Sequence, residues 1–184
     1  MTILVCPLSK VGEQISAHRP GCVISLLDPA GGFPELGPQY LDRHLRLGFH
    51  DILSPAENLV MPAAEHVAEL LRFLEAWDRG DPLLVHCRAG ISRSPAAAFI
   101  AACFLNPEIR ENEIALALRR AAPLARPNET LVALADDALG RAGRMNEALR
   151  ATRQEPAWVE LEEATPFWLA SRYHSENGSA DAPR

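Results

Sequence analysis

Runs of hydrophobic residues predict four β-strands in this chain. Residues 2–6, 22–27 and 83–86 are almost wholly apolar, which is typical of strands buried on both faces. Residues 43–49 alternate apolar and polar side chains, which predicts a strand with one solvated face.

Apolar residues spaced three and four apart predict helices between these strands. The clearest stripe runs through 62–79, where Pro62 suits the first turn and Gly80 ends the helix. Further helices are predicted at 9–17, 94–105, 111–121, 128–141 and 145–153. Glycine and proline make 29–38 a loop, and 50–62 is a second one.

Because strands and helices alternate, we predict an α/β fold: a single domain over residues 1–173 with a central, mostly parallel, twisted sheet flanked by helices. The polar residues 174–184 are expected to form a disordered tail. In the preceding segment, 155–170, we expect three aromatic side chains to pack in the core or in a lid: Trp158, Phe167 and Trp168.

Composition limits the classes of partner. The 184 residues are 48% hydrophobic and 23% charged, as in ordinary globular proteins. The net charge of −6 disfavours nucleic acid as a partner, so an anion site must be a local arrangement. The longest apolar run, Pro95–Leu105, is too short to span a bilayer, and no signal peptide is visible. We therefore expect a cytoplasmic protein with no membrane partner.

The four cysteines do not resemble a metal site. No two of Cys6, Cys22, Cys87 and Cys103 form a CxxC pair, so neither a metal nor another cofactor is expected. In a reducing compartment they remain free thiols, and all but Cys87 are predicted to be small buried hydrophobic side chains.

The stretch 85–94, VHCRAGISRS, carries the candidate chemistry. Cys87 ends a predicted strand, and in α/β folds ligands bind beyond such strand ends. A loop of backbone amides, a helix N-terminus and Arg93 can together lower the pKa of a thiol from about 8.5 to roughly 3.5–7.5. The same amides can surround an anion, Gly90 permits the tight turn, and the planar Arg93 fork matches two phosphate oxygens. The pattern predicts thiolate attack on phosphorus.

The sequence HCRAGISRS resembles the HC-x5-R-[ST] signature of the cysteine-based protein tyrosine phosphatases. It is most similar to their small dual-specificity and bacterial tyrosine-phosphatase-like branch, and the similarity covers roughly residues 20–140. The resemblance implies that Cys87 forms a phosphocysteine intermediate and that Ser94 assists its hydrolysis. It also implies a phosphate-binding loop formed by Arg88, Ala89, Gly90, Ile91, Ser92 and Arg93.

A phosphatase of this type also needs an acid that protonates the leaving group. The family places an aspartate on an upstream loop, and Asp51 lies 36 residues before Cys87, directly after a predicted strand. Asp28, which follows an earlier strand, is the second candidate. The motif here is Phe-His-Asp, whereas the tyrosine-specific members carry Trp-Pro-Asp.

His86, Ser94 and Asn128 each have a structural and a functional interpretation. His86 is expected to be a hydrogen-bonded organiser rather than an acid or base. Ser94 is interpreted as a helix N-cap, as a hydroxyl that stabilises the sulfur, or as both. Asn128 in ARPN resembles the asparagine that braces the phosphate loop in the dual-specificity branch, but it is also a plausible N-cap.

The sequence therefore predicts a metal-independent phosphatase of phosphotyrosine or mixed phosphoprotein substrates, or of small phosphomonoesters. Three alternatives remain open at this point. They are a phosphoprotein-binding pseudophosphatase, a phosphatase of phosphoinositides or RNA 5′-phosphates, and a rhodanese-like sulfur transferase.

Overall fold

The protein is described from a computed structural model, which covers residues 2–153 and 162–173. Its strands are β1 (Thr2–Pro7), β2 (Cys22–Leu27), β3 (His44–Gly48), β4 (Leu83–Cys87) and β5 (Phe167–Ala170). They form one sheet in the order β3-β2-β4-β1-β5, in which the first four are parallel and β5 runs antiparallel to β1. The predicted α/β class with a mostly parallel sheet is confirmed.

The helices connect and cover these strands. They are α1 (Val11–His18), α2 (Ala64–Ala76), α3 (Arg93–Leu105), α4 (Glu111–Ala121), α5 (Glu129–Ala138) and α6 (Arg144–Ala151). The predicted helix at 62–79 is too long at both ends. Pro62 lies before the helix, and Trp77 at its C-cap has the extended backbone with ψ 114°.

Alternation along the strands divides the core into two faces. Ile3, Val5 and Val85 face the larger core, which also takes in residues of α2 to α6, whereas Leu4 and Leu84 face the smaller one beside α1. Helix α3 lies within the larger core, and twelve of its thirteen residues are buried. Its many alanines therefore reflect close packing on all sides.

Phe167 and Trp168 form the edge strand β5, which the sequence did not predict. The predicted core packing is confirmed for both, since Phe167 packs into the larger core and Trp168 packs against the smaller one. Trp158, the rest of 154–161, and the predicted tail 174–184 lie outside the described residues. No helix within 2–153 and 162–173 is long and apolar enough to cross a membrane.

Candidate active site

Three parallel strands end beside one another and carry the candidate residues. Strand β4 ends at Cys87, β2 is followed by Asp28, and β3 is followed by Phe49 and Asp51. Because β2 lies between β3 and β4, the three carboxyl ends are neighbours at one edge of the sheet. This edge is where α/β folds bind ligands.

The loop of residues 88–93, here called the cysteine loop, turns its carbonyl groups outward. The carbonyl oxygens of Arg88, Ala89, Ile91 and Ser92 accept hydrogen bonds from the backbone N–H groups of Leu8, Ala164, Arg126 and Ala96, at 3.1, 2.8, 2.8 and 3.0 Å respectively. In a planar trans peptide the next N–H points the opposite way, so the amides of 89, 90, 92 and 93 turn inward. Such a ring of amides is an anion-binding concavity.

Gly90 is required in this loop for two separate reasons. Its φ of +74° lies in the left-handed region that other residues rarely adopt. A Cβ at this position would also lie 3.0 Å from the Pro7 nitrogen and 3.2 Å from the Cys6 carbonyl carbon. The cysteine loop therefore lies directly against the end of β1.

The Arg93 guanidinium is buried and held from one side. Its Nη1 donates to Asp28 Oδ1 and to the Phe49 carbonyl oxygen, each at 2.7 Å. The side chain of Arg93 is 5% exposed, yet its Nε has no hydrogen-bond partner among the described residues. The edge that carries Nε is thus unpaired among the described residues, and an arginine edge of this kind can bind two oxygens of one anion. Asp28, the second candidate acid, is engaged in holding this arginine.

Cys87 Sγ lies at the base of the loop and accepts two hydrogen bonds. The Gly90 N–H donates at 3.2 Å and the Ser94 hydroxyl at 3.1 Å. The interpretation of Ser94 as an N-cap is wrong. Helix α3 already begins at Arg93, with Ser92 at the N-cap position, so Ser94 lies inside the first turn and its hydroxyl is directed at the sulfur.

Asp51 is tied to the cysteine loop through two donors. Its Oδ1 accepts hydrogen bonds from Ser92 Oγ at 2.7 Å and from Asn128 Nδ2 at 2.8 Å. The Asn128 Oδ1 accepts from the Leu131 N–H at 2.9 Å, so the predicted N-cap role in α5 is confirmed. The Asn128 backbone N–H also reaches the Ser92 carbonyl oxygen at 3.4 Å. Asn128 thus joins the Asp51 loop, the cysteine loop and helix α5.

Comparisons with known proteins rest on structure alone. No family model and no curated protein matches the sequence. The structure is similar to the human tyrosine phosphatase-like serine/threonine/tyrosine-interacting protein, with TM-score 0.54 and 18% identity over 74% of this chain and 86% of that one. It is also similar to DUSP15, with TM-score 0.53 and 18% identity over 83% and 91% of the two chains. The Cydia pomonella PTP-2 phosphatase matches with TM-score 0.52 and 18% identity over 89% and 91%.

The chain has the fold of the tyrosine and dual-specificity phosphatases. The expected fold class is therefore confirmed by independent structures.

Behind this phosphatase-fold site, a row of polar side chains crosses the opposite face of the sheet. The Ser25 hydroxyl lies 2.5 Å from His86 Nε2 and 2.7 Å from His44 Nε2, and Arg46 Nε donates to His44 Nδ1 at 3.2 Å. Because Arg46 can only donate, His44 carries its proton on Nε2 and donates to Ser25. The single Ser25 proton then goes to His86 Nε2, so His86 is neutral and carries its own proton on Nδ1.

The chemistry of this row follows from its burial. Burial is the main cause that lowers the pKa of His86 to about 4, and the nearby His44 is the second cause. Burial also lowers the pKa of His44 to about 4, with the Arg46 charge as the second cause. Sequence reasoning identified His86 as a hydrogen-bonded organiser but missed Ser25 and His44, which reach it only through strand pairing.

Of the remaining thiols, Cys6 and Cys103 are buried as predicted, whereas Cys22 is not fully buried, and all three are free. Burial raises the pKa of Cys6 to about 12, with the neighbouring Cys87 as a second cause, so Cys6 remains a thiol. In the part of the chain that the structure describes, no three His, Cys, Asp or Glu residues are grouped to hold a metal ion.

Replacing Gly90 with alanine should destabilise the protein by about 2 kcal/mol or more, because strain at positive φ adds to overpacking against β1. Gly140→Ala is the matched control, since Gly140 has φ +63° but nothing within 4 Å of an added Cβ. Urea unfolding should therefore show a larger loss for Gly90→Ala. Equal losses in the two variants would contradict the close approach to β1.

Acid should destabilise the fold through His86. Its folded pKa of about 4 lies below the ordinary value of 6.5, so the unfolded chain takes up a proton that the folded chain refuses. The contribution of His86 to the free energy of unfolding is present above pH 6.5 and is lost as the pH falls from there toward 4. Between pH 7 and pH 5 this histidine should account for a loss of about 2 kcal/mol.

Urea unfolding of wild type and His86→Gln at both pH values measures this contribution. Glutamine can accept the Ser25 hydrogen bond but does not titrate, so the variant should lose less stability on acidification. An identical loss in both proteins would rule out His86 as the source.

Proposed function

We propose that the protein hydrolyses phosphomonoesters through a phosphocysteine intermediate on Cys87. The observation that carries the proposal is the cysteine loop, whose outward carbonyl oxygens leave inward amides around the Cys87 sulfur. A ring of donors above a nucleophilic sulfur suits a tetrahedral anion whose charge shifts during transfer.

In the first step, Cys87 Sγ attacks phosphorus and the P–O bond to the leaving group breaks. The inward amides and the open edge of Arg93 bind the non-bridging oxygens of the phosphoryl group. Asp51, in its protonated form, gives its proton to the leaving oxygen. The hydrogen bonds found for this carboxyl group among the described residues both reach Oδ1, which leaves Oδ2 to carry that proton.

In the second step, water attacks phosphorus and the S–P bond breaks. The Asp51 carboxylate takes a proton from the water, and inorganic phosphate leaves. The departing thiolate is stabilised by the Ser94 hydroxyl, which lies 3.1 Å from the sulfur. All groups in both steps belong to the protein, the substrate or water, and no cofactor is invoked.

The substrate class that we favour is a phosphorylated protein, with phosphotyrosine or mixed specificity. A fold neighbour named as the PTP-2 phosphatase supports the activity. Another neighbour is named as a phosphatase-like interacting protein, which supports phosphoprotein binding without turnover as the second candidate.

The first test is hydrolysis of p-nitrophenyl phosphate and a phosphotyrosine peptide in the presence of EDTA. Wild type should turn over both, and Cys87→Ser should lose all turnover because the nucleophile is gone. Cys22→Ser is the control, since Cys22 lies at the start of β2, at the other end of the sheet. A wild type that binds the phosphopeptide but releases no phosphate would instead support the binding function.

A second test separates the two aspartates. Asp51→Asn should lower kcat by about 10²–10⁴-fold and change KM little, because it removes the proton donor. Asp28→Asn should mainly raise KM and weaken vanadate binding, because Arg93 loses the carboxylate that orients it. Steady-state kinetics of both variants on a phosphotyrosine peptide show which aspartate is the acid. A loss of kcat in Asp28→Asn, with only a KM effect in Asp51→Asn, would make Asp28 the acid.

A further inference from the structure

Beside the cysteine loop lies a cavity of about 400 Å³, here called the arginine pocket. Its wall contains Arg119, Arg126, Arg150 and Arg153. Ile91 and Ser92 of the cysteine loop also line it, as does Asp51. A ligand held over Cys87 would therefore reach this pocket without leaving the protein surface.

Positive charge exceeds negative charge in the arginine pocket. Its four arginines face two carboxylates, those of Asp51 and Glu129. Glu129 pairs with two of these arginines: its Oε2 lies 3.4 Å from Arg150 Nη2, and its Oε1 lies 3.8 Å from Arg153 Nη1. Asp51 already accepts two hydrogen bonds from uncharged side chains. This local excess is opposite in sign to the net charge of −6 of the whole chain.

Two of the arginines have no carboxylate partner among the described residues. The Arg119 guanidinium donates to the carbonyl oxygens of Thr152, Pro123 and Ala125, and so fixes one wall of the pocket. Burial lowers its pKa, and the charge of Arg153 lowers it further, which shows that these two cations lie within reach of each other's charge.

The remaining cation, Arg126, is exposed and attached rigidly to the cysteine loop. Its backbone N–H donates to the Ile91 carbonyl oxygen at 2.8 Å. Its guanidinium has no ion-pair partner in the ranges that the structure describes. The main chain of Arg126 is therefore fixed to the cysteine loop, and its guanidinium donors are available to a ligand beside that loop.

We propose that the arginine pocket binds a second anionic group of the substrate, namely a phosphate or carboxylate on a residue next to the phosphorylated residue of an acidic peptide. This inference rests on the proposed phosphatase function and names its substrate class. Arginine forks bind carboxylates and phosphates alike, so both groups fit the pocket chemistry. A peptide is favoured over a lipid headgroup because a chain with net charge −6 is repelled by an anionic membrane surface.

The test compares three phosphotyrosine peptides that differ only in a neighbouring residue, which is alanine, glutamate or phosphoserine. Wild type should show kcat/KM about tenfold or more higher for the two acidic peptides, and the preference should shrink in high salt. The double variant Arg126→Ala/Arg153→Ala should lose the preference. Its turnover of p-nitrophenyl phosphate should not change, because that substrate carries no second anion.

Arg110→Ala is the matched control, since Arg110 is an exposed arginine that pairs with Glu113 and does not line the pocket. Equal kcat/KM for all three peptides in wild type, or a preference unchanged in the double variant, would overturn the proposal. Faster hydrolysis of a bisphosphorylated phosphoinositide in vesicles, lost in the same variant, would overturn the assignment to a peptide.

Failure of this inference can be told apart from failure of the proposed function. Binding of the three peptides to Cys87→Ser, followed by fluorescence anisotropy, reports the pocket without requiring turnover. A catalytically inactive wild type whose Cys87→Ser variant still prefers acidic peptides would contradict the phosphatase proposal and support the pocket. An active wild type without a preference for acidic peptides would support the phosphatase proposal and contradict the role of the arginine pocket.

Discussion

The burial of the Arg93 guanidinium is the constraint on which the rest of the site depends. A charge removed from water must be compensated, and here one nitrogen takes both a carboxylate and a carbonyl oxygen. Those two acceptors follow β2 and β3, so the ends of both strands must align with the start of α3. The other edge of the guanidinium is left with a buried donor that has no partner among residues 2–153 and 162–173, which is a costly arrangement unless a ligand completes it.

The side chains of His86 and Cys87 lie on opposite faces of the sheet and have different surroundings. Alternation directs Cys87 toward α3 and His86 toward the opposite face, where Ser25 lies directly across in the strand register. The polar row therefore makes no direct hydrogen bond to the sulfur among the described residues. It fixes the ring of a neutral histidine in the residue directly before Cys87.

The sequence predicted the parts of the site that are local along the chain. Strand, cysteine loop and helix start occupy adjacent residues, so Cys87, Gly90 and Arg93 could be predicted as neighbours from the apolar strand, the spacing and the helix start together. The role of Asp28 and the Ser25–His44 row could not, because they depend on strand pairing across long sequence separations. The error at Ser94 was a displacement of one or two residues at a helix start, where sequence signals are weakest. Strand β5 was missed because four residues carry little periodicity.

The position of Asp51 has an entropic consequence. Its carboxylate accepts hydrogen bonds from Ser92 and Asn128, both of which lie outside its own loop. The conformational entropy of its loop is therefore lost when the chain folds, and ligand binding does not carry that cost. A ligand that fits this arrangement therefore binds without first having to order the Asp51 loop.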